Sequence, residues 1–133
     1  MNNFFINSSE ILLISLLNNK TFYFFSQDDL AKCIGCTQPN ISYVLSSLQE
    51  KEIVINANGF LVVNQRVLIK KLVEYAVSVY TDAEIDFSND TLVIKYDYWD
   101  ACSFFKSYFR IFNINYFFTQ GMSEVLFSVR TDT

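Results

Sequence analysis

The period of the apolar positions changes several times along the chain, and each change marks an element. Residues 8–18 open on Ser8-Ser9-Glu10 and run on as Ile11-Leu12-Leu13-Ile14-Ser15-Leu16-Leu17, a first helix capped at its serines and apolar nearly all round. Thr21-Phe22-Tyr23-Phe24-Phe25 is aromatic and reads as extended, a third strand for the hairpin that follows later. From Ser26 the period becomes helical. Ser26 caps a short helix, Asp28 and Asp29 sit at its positive end, and Leu30, Ala31 and Ile34 form its inward stripe. Gly35 ends it, because a residue without a Cβ accepts the left-handed conformation of a helix terminus. Thr37 caps the next helix and Pro39 lies in its first turn, where the missing N–H costs little. Ile41, Val44, Leu45 and Leu48 recur at i, i+3, i+4, i+7, so one side faces a core. The other side carries Gln38, Asn40, Ser42, Tyr43, Ser46 and Gln49, side chains able to hydrogen-bond to base edges and phosphates.

Behind this helix, Ile53-Val54-Ile55 and Phe60-Leu61-Val62-Val63 flank Asn58-Gly59, a favoured two-residue hairpin turn. Residues 64–80 return to helical spacing. Leu68, Leu72, Tyr75, Ala76 and Val79 form one stripe, with Ile69, Val73, Val77 and Tyr80 beside it. An arc that wide needs cover on two sides, from the C-terminal segment or from a second subunit. The remainder predicts strands at 83–87 and 91–96 around Ser88-Asn89-Asp90, and a helix at 99–113 with Ala101, Phe104, Phe105, Tyr108, Phe109 and Phe112 at helical spacing. Two further strands at 115–119 and 124–129 surround Gln120-Gly121. The expected fold class is α+β: residues 1–80 as one domain, and residues 81–133 as a small ββαββ-like unit for dimerisation or for binding a signal or partner.

Helix, tight turn, helix and small hairpin is the order of a winged helix-turn-helix. The residues that carry the likeness are Gln27-x-x-Leu30-Ala31-x-x-x-Gly35-x-x-Gln38-x-x-Ile41-Ser42-x-x-Leu45-x-x-Leu48, then Ile53-Val54 and the hairpin. Over roughly half the chain this pattern resembles the winged-helix DNA-binding domain shared by the catabolite-activator, multiple-antibiotic-resistance and arsenic-regulator families of transcription regulators. The resemblance implies a sequence-specific regulator whose helix at 37–50 enters the major groove of double-stranded DNA, with Thr37, Gln38, Asn40, Ser42 and Tyr43 at the DNA surface. Ser46 on the same flank, Lys51 as the first cation after it, and Asn58 at the hairpin tip complete the candidate contacts. The C-terminal half carries no such likeness.

Composition changes this picture in three ways. The 133 residues are 51% hydrophobic and 17% aromatic, with 14 Phe and 8 Tyr, which excludes a disordered tail. The net charge of −4 is unusual for a nucleic-acid binder, but it is uneven. Residues 1–71 hold six Lys/Arg against five Asp/Glu, and residues 72–133 hold four against nine, so the acidic excess lies outside the candidate reading head. The hairpin tip is uncharged, and the first cation after the hairpin is Arg66. An acidic total and a helix without arginine also suit a winged helix that binds another protein, as an adaptor or antirepressor; a plasmid or phage replication protein is a third class.

Catalysis is not expected. With no His, a Ser–His or Cys–His pair is unavailable, and the three glycines form neither GxxxxGK[ST] nor GxGxxG. No cofactor is called for. Cys33-Ile34-Gly35-Cys36 falls at the helix–turn–helix corner, where small half-buried residues are wanted; packing is the favoured reading, with a thiol switch or a metal as alternatives. Two thiolates without His or a second CxxC do not complete a zinc site within one chain. Three cysteines, no signal peptide, and apolar runs at 11–17 and 67–73 that are too short or too charged to span a bilayer lead to an expected cytoplasmic protein with no membrane partner. The aromatic stripe of the 99–113 helix reads first as core packing, with a dimer interface or an apolar effector pocket as the sharper alternatives; a homodimer is expected, with Leu72, Tyr75, Phe105 and Phe109 as the candidate dimer or partner residues.

Overall fold

The computed structural model describes residues 6–18, 27–34, 38–57, 59–79, 83–88, 91–96, 99–120 and 125–130. They are mixed helix and strand, with five helices and two small antiparallel sheets among them. The chain divides into two compact units at Val67/Leu68. The boundary therefore falls inside the helix expected at 64–80 and not after it. The expected strand at 21–25 and the turn residues Ser26, Gly35 and Thr37 lie outside the described residues.

The first unit contains α1 (Ser8–Leu17), α2 (Gln27–Ile34), α3 (Gln38–Glu50), β1 (Val54–Ala57) and β2 (Phe60–Val63). The cap of α1 is Asn7, one residue before the expected serines. Its Oδ1 accepts the Glu10 N–H at 2.9 Å, while Glu10 Oε1 accepts the Asn7 N–H at 3.1 Å. This reciprocal capping box needs a carboxylate three residues beyond the cap, and Glu10 stands at that distance from Asn7 alone. Leu13 and Ile14 of α1, Leu30 and Ala31 of α2, and Ile41, Leu45 and Leu48 of α3 are buried together with Ile53, Val54 and Val63 of the hairpin region. Helix α3 packs against α1, α2 and β1, so its apolar side is spent inside this unit.

The end of α3 is set by a residue that sequence reasoning passes over. Glu52 adopts φ +63°, its N–H donates to the Gln49 carbonyl at 3.0 Å, and the Ile53 N–H donates to the Leu48 carbonyl at 3.0 Å. These two bonds form a Schellman motif, closed by the buried pair Leu48 and Ile53. A Cβ in that conformation costs about 1–2 kcal/mol, against about 0.5–1 kcal/mol for the greater freedom glycine has when unfolded. Glu52→Gly is therefore expected to stabilise the protein by about 0.5–1 kcal/mol, read as a higher urea midpoint at unchanged m-value. The hairpin pairs Val54 with Val63 through Ala57 with Phe60, which leaves the expected two-residue connection; Gly59 takes φ +85° and donates its N–H to Asn56 Oδ1 at 3.1 Å.

Helix α4 (Gln65–Val79) begins in the first unit, where Asn64 Oδ1 accepts the Val67 N–H at 3.4 Å, and continues into the second. The second unit adds β3 (Ala83–Ser88), β4 (Thr91–Tyr96), α5 (Trp99–Ile111), β5 (Phe117–Gln120) and β6 (Val125–Arg130). This is the expected ββαββ order, with boundaries within about two residues of those read from the sequence. The sheet is antiparallel in the order β3-β4-β6-β5, so the chain crosses from β4 through α5 to the edge and returns between them. Strand β6 pairs Phe127 with Ile94 on one side and with Phe118 on the other. Helix α5 ends as α3 does: Asn113 takes φ +56° and the Ile114 N–H donates to the Phe109 carbonyl at 2.8 Å.

The aromatic stripe of α5 is interior. Phe105, Phe109, Phe112 and Phe127 are fully buried, and Tyr75 of α4 stacks on Phe104 with ring centroids 5.7 Å apart. This is the core packing that the α5 spacing suggests first; as dimer or partner surface, three of the four candidate residues are corrected. Leu72, Phe105 and Phe109 have no exposed surface, and Tyr75 is half-buried. The wide apolar arc of α4 is buried at Leu68, Ile69, Leu72, Val73 and Ala76 by the chain itself, and no second subunit is needed to cover them. Val77 of the same helix is exposed.

Candidate nucleic-acid interface

An α-helix with its apolar stripe packed on three neighbours must offer the opposite stripe to solvent. On α3 that stripe begins at Asn40, one turn of helix before Tyr43 and two before Ser46, and all three are exposed. Tyr43 is the extreme case, with 79% of its surface accessible, more than any other large apolar or aromatic side chain described. Ser42 is half-buried at the margin, and Gln49 and Glu50 are exposed toward the C-terminal end. Residues 38–50 contain no Lys or Arg, and Glu50 is the one charge on the helix. The flank is therefore a short uncharged strip of amide, phenol and hydroxyl, with a carboxylate at its far end. Of the other expected contacts, Thr37 and Asn58 lie outside the described residues, as does the side chain of Gln38.

Lys51 has a different task from the one expected. Its Nζ donates to Glu10 Oε2 at 2.7 Å, with the lysine side chain 32% exposed and the glutamate side chain 3% exposed. Ser47 Oγ donates to the same oxygen at 3.2 Å. Glu10 thus accepts from the backbone at the start of α1 through one oxygen, and from two side chains at the end of α3 through the other. It fixes the N-terminus of α1 to the C-terminus of α3, and it commits the nearest cation on the candidate interface to the protein itself. Sequence reasoning treated Glu10 as part of a cap. The one further signal is a carboxylate at the head of an apolar run.

The hairpin presents an uncommon outer face. The register puts Ile55, Ala57, Phe60 and Val62 on one side of the two strands, and Ile55 and Phe60 are 42% and 38% exposed. That face is apolar and carries no charge to meet phosphate. Elsewhere, Lys32 pairs with Asp28 at 3.1 Å across one turn of α2, with both side chains well exposed, a contact worth little.

Cys102 is a buried free thiol; Cys36 and the side chain of Cys33 lie outside the described residues, so the choice between packing, thiol switch and metal for that pair stands where the sequence left it. Among the described residues, no group of three or more His, Cys, Asp and Glu side chains is placed to hold a metal ion, and no helix is long and apolar enough to cross a membrane. No protein-family model, curated protein or solved structure matches this chain.

Proposed function

We propose that this protein is a winged helix-turn-helix transcription regulator that reads double-stranded DNA with the exposed flank of α3. The observation that supports this most is Tyr43, an aromatic side chain held almost fully in water beside Asn40 and Ser46 on a helix whose other side is packed. An exposed aromatic ring set beside an amide and a hydroxyl on one helix flank is the kind of anchor that a contact surface uses. The element order helix, helix, hairpin supports placing α3 as the reading helix. With Lys51 committed to Glu10, few phosphate contacts come from this region, so affinity rests on groove contacts and its salt dependence is shallow.

A homodimer on a two-fold operator is part of the proposal. Because Leu72, Phe105 and Phe109 are interior, the subunit contact uses other residues. The stoichiometry of the shifted complex measures it.

The test is an electrophoretic shift of genomic fragments at low salt with wild type and Tyr43→Ala. Wild type is expected to retard a subset of fragments, and Tyr43→Ala to lose about tenfold or more in affinity while keeping its unfolding midpoint, as an exposed substitution should. The second reading, a winged helix that docks on another protein, is favoured by the uncharged flank and by the apolar outer face of the hairpin at Ile55 and Phe60. It becomes the better reading if wild type retards no duplex at any salt concentration.

A further inference from the structure

We infer that the exposed flank of α3 selects A·T base pairs, with the Asn40 amide on adenine and the Tyr43 ring against a thymine methyl; this deepens the DNA-binding reading above and rests on it. The flank lacks the side chains that read guanine and cytosine. Guanine offers two acceptors to the major groove, N7 and O6, and is read best by the two donors of arginine or by lysine. Residues 38–50 hold neither residue, and Lys51 is turned to Glu10. Cytosine offers a donor, N4–H, which a carboxylate accepts. The one carboxylate here is Glu50, seven residues beyond Tyr43 and so about 10 Å further along the helix axis, on the part of a reading helix that leaves the groove toward the phosphates.

What the flank does hold matches the remaining pair. Adenine presents an acceptor, N7, beside a donor, N6–H, and a side-chain amide satisfies both at once. Asn40 stands in the first turn of α3 and is exposed, the part of a recognition helix that contacts base edges. Thymine presents a methyl group, the one apolar feature of the groove, and Tyr43 supplies an apolar ring on the same flank. Three residues of helix rise about 4.5 Å, close to the roughly 3.4 Å between base pairs, so Asn40 and Tyr43 address adjacent pairs. Ser46, one step further, bonds to any base and adds no discrimination.

The experiment is selection by the full-length protein from a randomised duplex pool, followed by titration of the best duplex carrying single-atom changes. The expected winner contains adjacent A·T pairs. Replacing its thymines by deoxyuridine removes the methyl and should weaken wild type about fourfold, one buried carbon group's worth, without further weakening Tyr43→Ala. Replacing adenine by 7-deazaadenine removes the N7 acceptor and should weaken wild type about tenfold or more, without further weakening Asn40→Ala. Enrichment of guanine-containing sites, or insensitivity of wild type to both changes, overturns the base preference while leaving DNA binding intact. Failure to enrich any duplex removes both the preference and the reading it rests on.

Discussion

Phe127→Ala is expected to cost about 3–5 kcal/mol, the range for deleting a buried aromatic ring, and to lower the melting temperature by on the order of 10 °C. The ring has no exposed surface and sits on β6, an inner strand of its sheet. Among the described residues, four other rings lie against it: Phe105 and Phe109 from α5 at 5.6 and 5.3 Å, Tyr116 at 5.2 Å, and Phe118 from β5 at 5.1 Å. Three of these approach edge-on and Phe118 is tilted, arrangements that bring positive ring edges toward negative faces. Helix and sheet of the second unit thus meet at this side chain, and alanine leaves a cavity that no single neighbour can fill. A loss of this size is a large share of the roughly 5–15 kcal/mol that holds a typical domain. Urea unfolding followed by near-ultraviolet circular dichroism measures it, and Phe127→Leu, which keeps an apolar side chain in place, should lose less. A loss below about 1 kcal/mol for the alanine variant would mean that the ring cluster does not carry this unit.

That cluster also marks where sequence reasoning reached and where it stopped. The α5 aromatics at helical spacing, the strands beside them and the Asn58-Gly59 connection were legible because each depends on neighbours within one or two turns of chain. The cover of α4 was not. An apolar arc states that something must cover it, and only tertiary structure says that Phe104 of the same chain stacks on Tyr75. Leu72 of that arc, with Phe105 and Phe109 of α5, is the protein's own interior and not a dimer surface. The ends of α3 and α5 fall within two residues of where the spacing puts them, but the left-handed residue that closes α3 was hidden, because it is Glu52 and glutamate gives no turn signal. On the candidate interface, the solvent side of α3 followed directly from the spacing of Ile41, Leu45 and Leu48. The diversion of Lys51 did not, because its partner is 41 residues away in sequence.

Lys51→Met is expected to destabilise the protein by about 3 kcal/mol, and more than Glu10→Gln does, although the two residues share one contact. The asymmetry comes from burial. Without the lysine, Glu10 keeps a carboxylate that is 3% exposed, with Ser47 and the Asn7 backbone as remaining donors and no counter-charge. Without the glutamate's charge, Lys51 is 32% exposed and its flexible stem can carry the ammonium into water. Glutamine also keeps an acceptor for the capping box, so Glu10→Gln should cost about 1–2 kcal/mol, the scale of a charge-assisted hydrogen bond made neutral. The double variant should be less unstable than Lys51→Met alone, because the stranded charge is gone; a double-mutant cycle by urea unfolding reads this as a coupling of about 1–3 kcal/mol. Additive losses would show that the ion pair does not hold α1 to α3. The same variants separate two roles for Lys51 in DNA binding. If its task is to fix α3, Glu10→Gln weakens retardation in step with Lys51→Met and the salt slope stays constant; if it contacts phosphate, Lys51→Met alone weakens binding and the slope falls by about one.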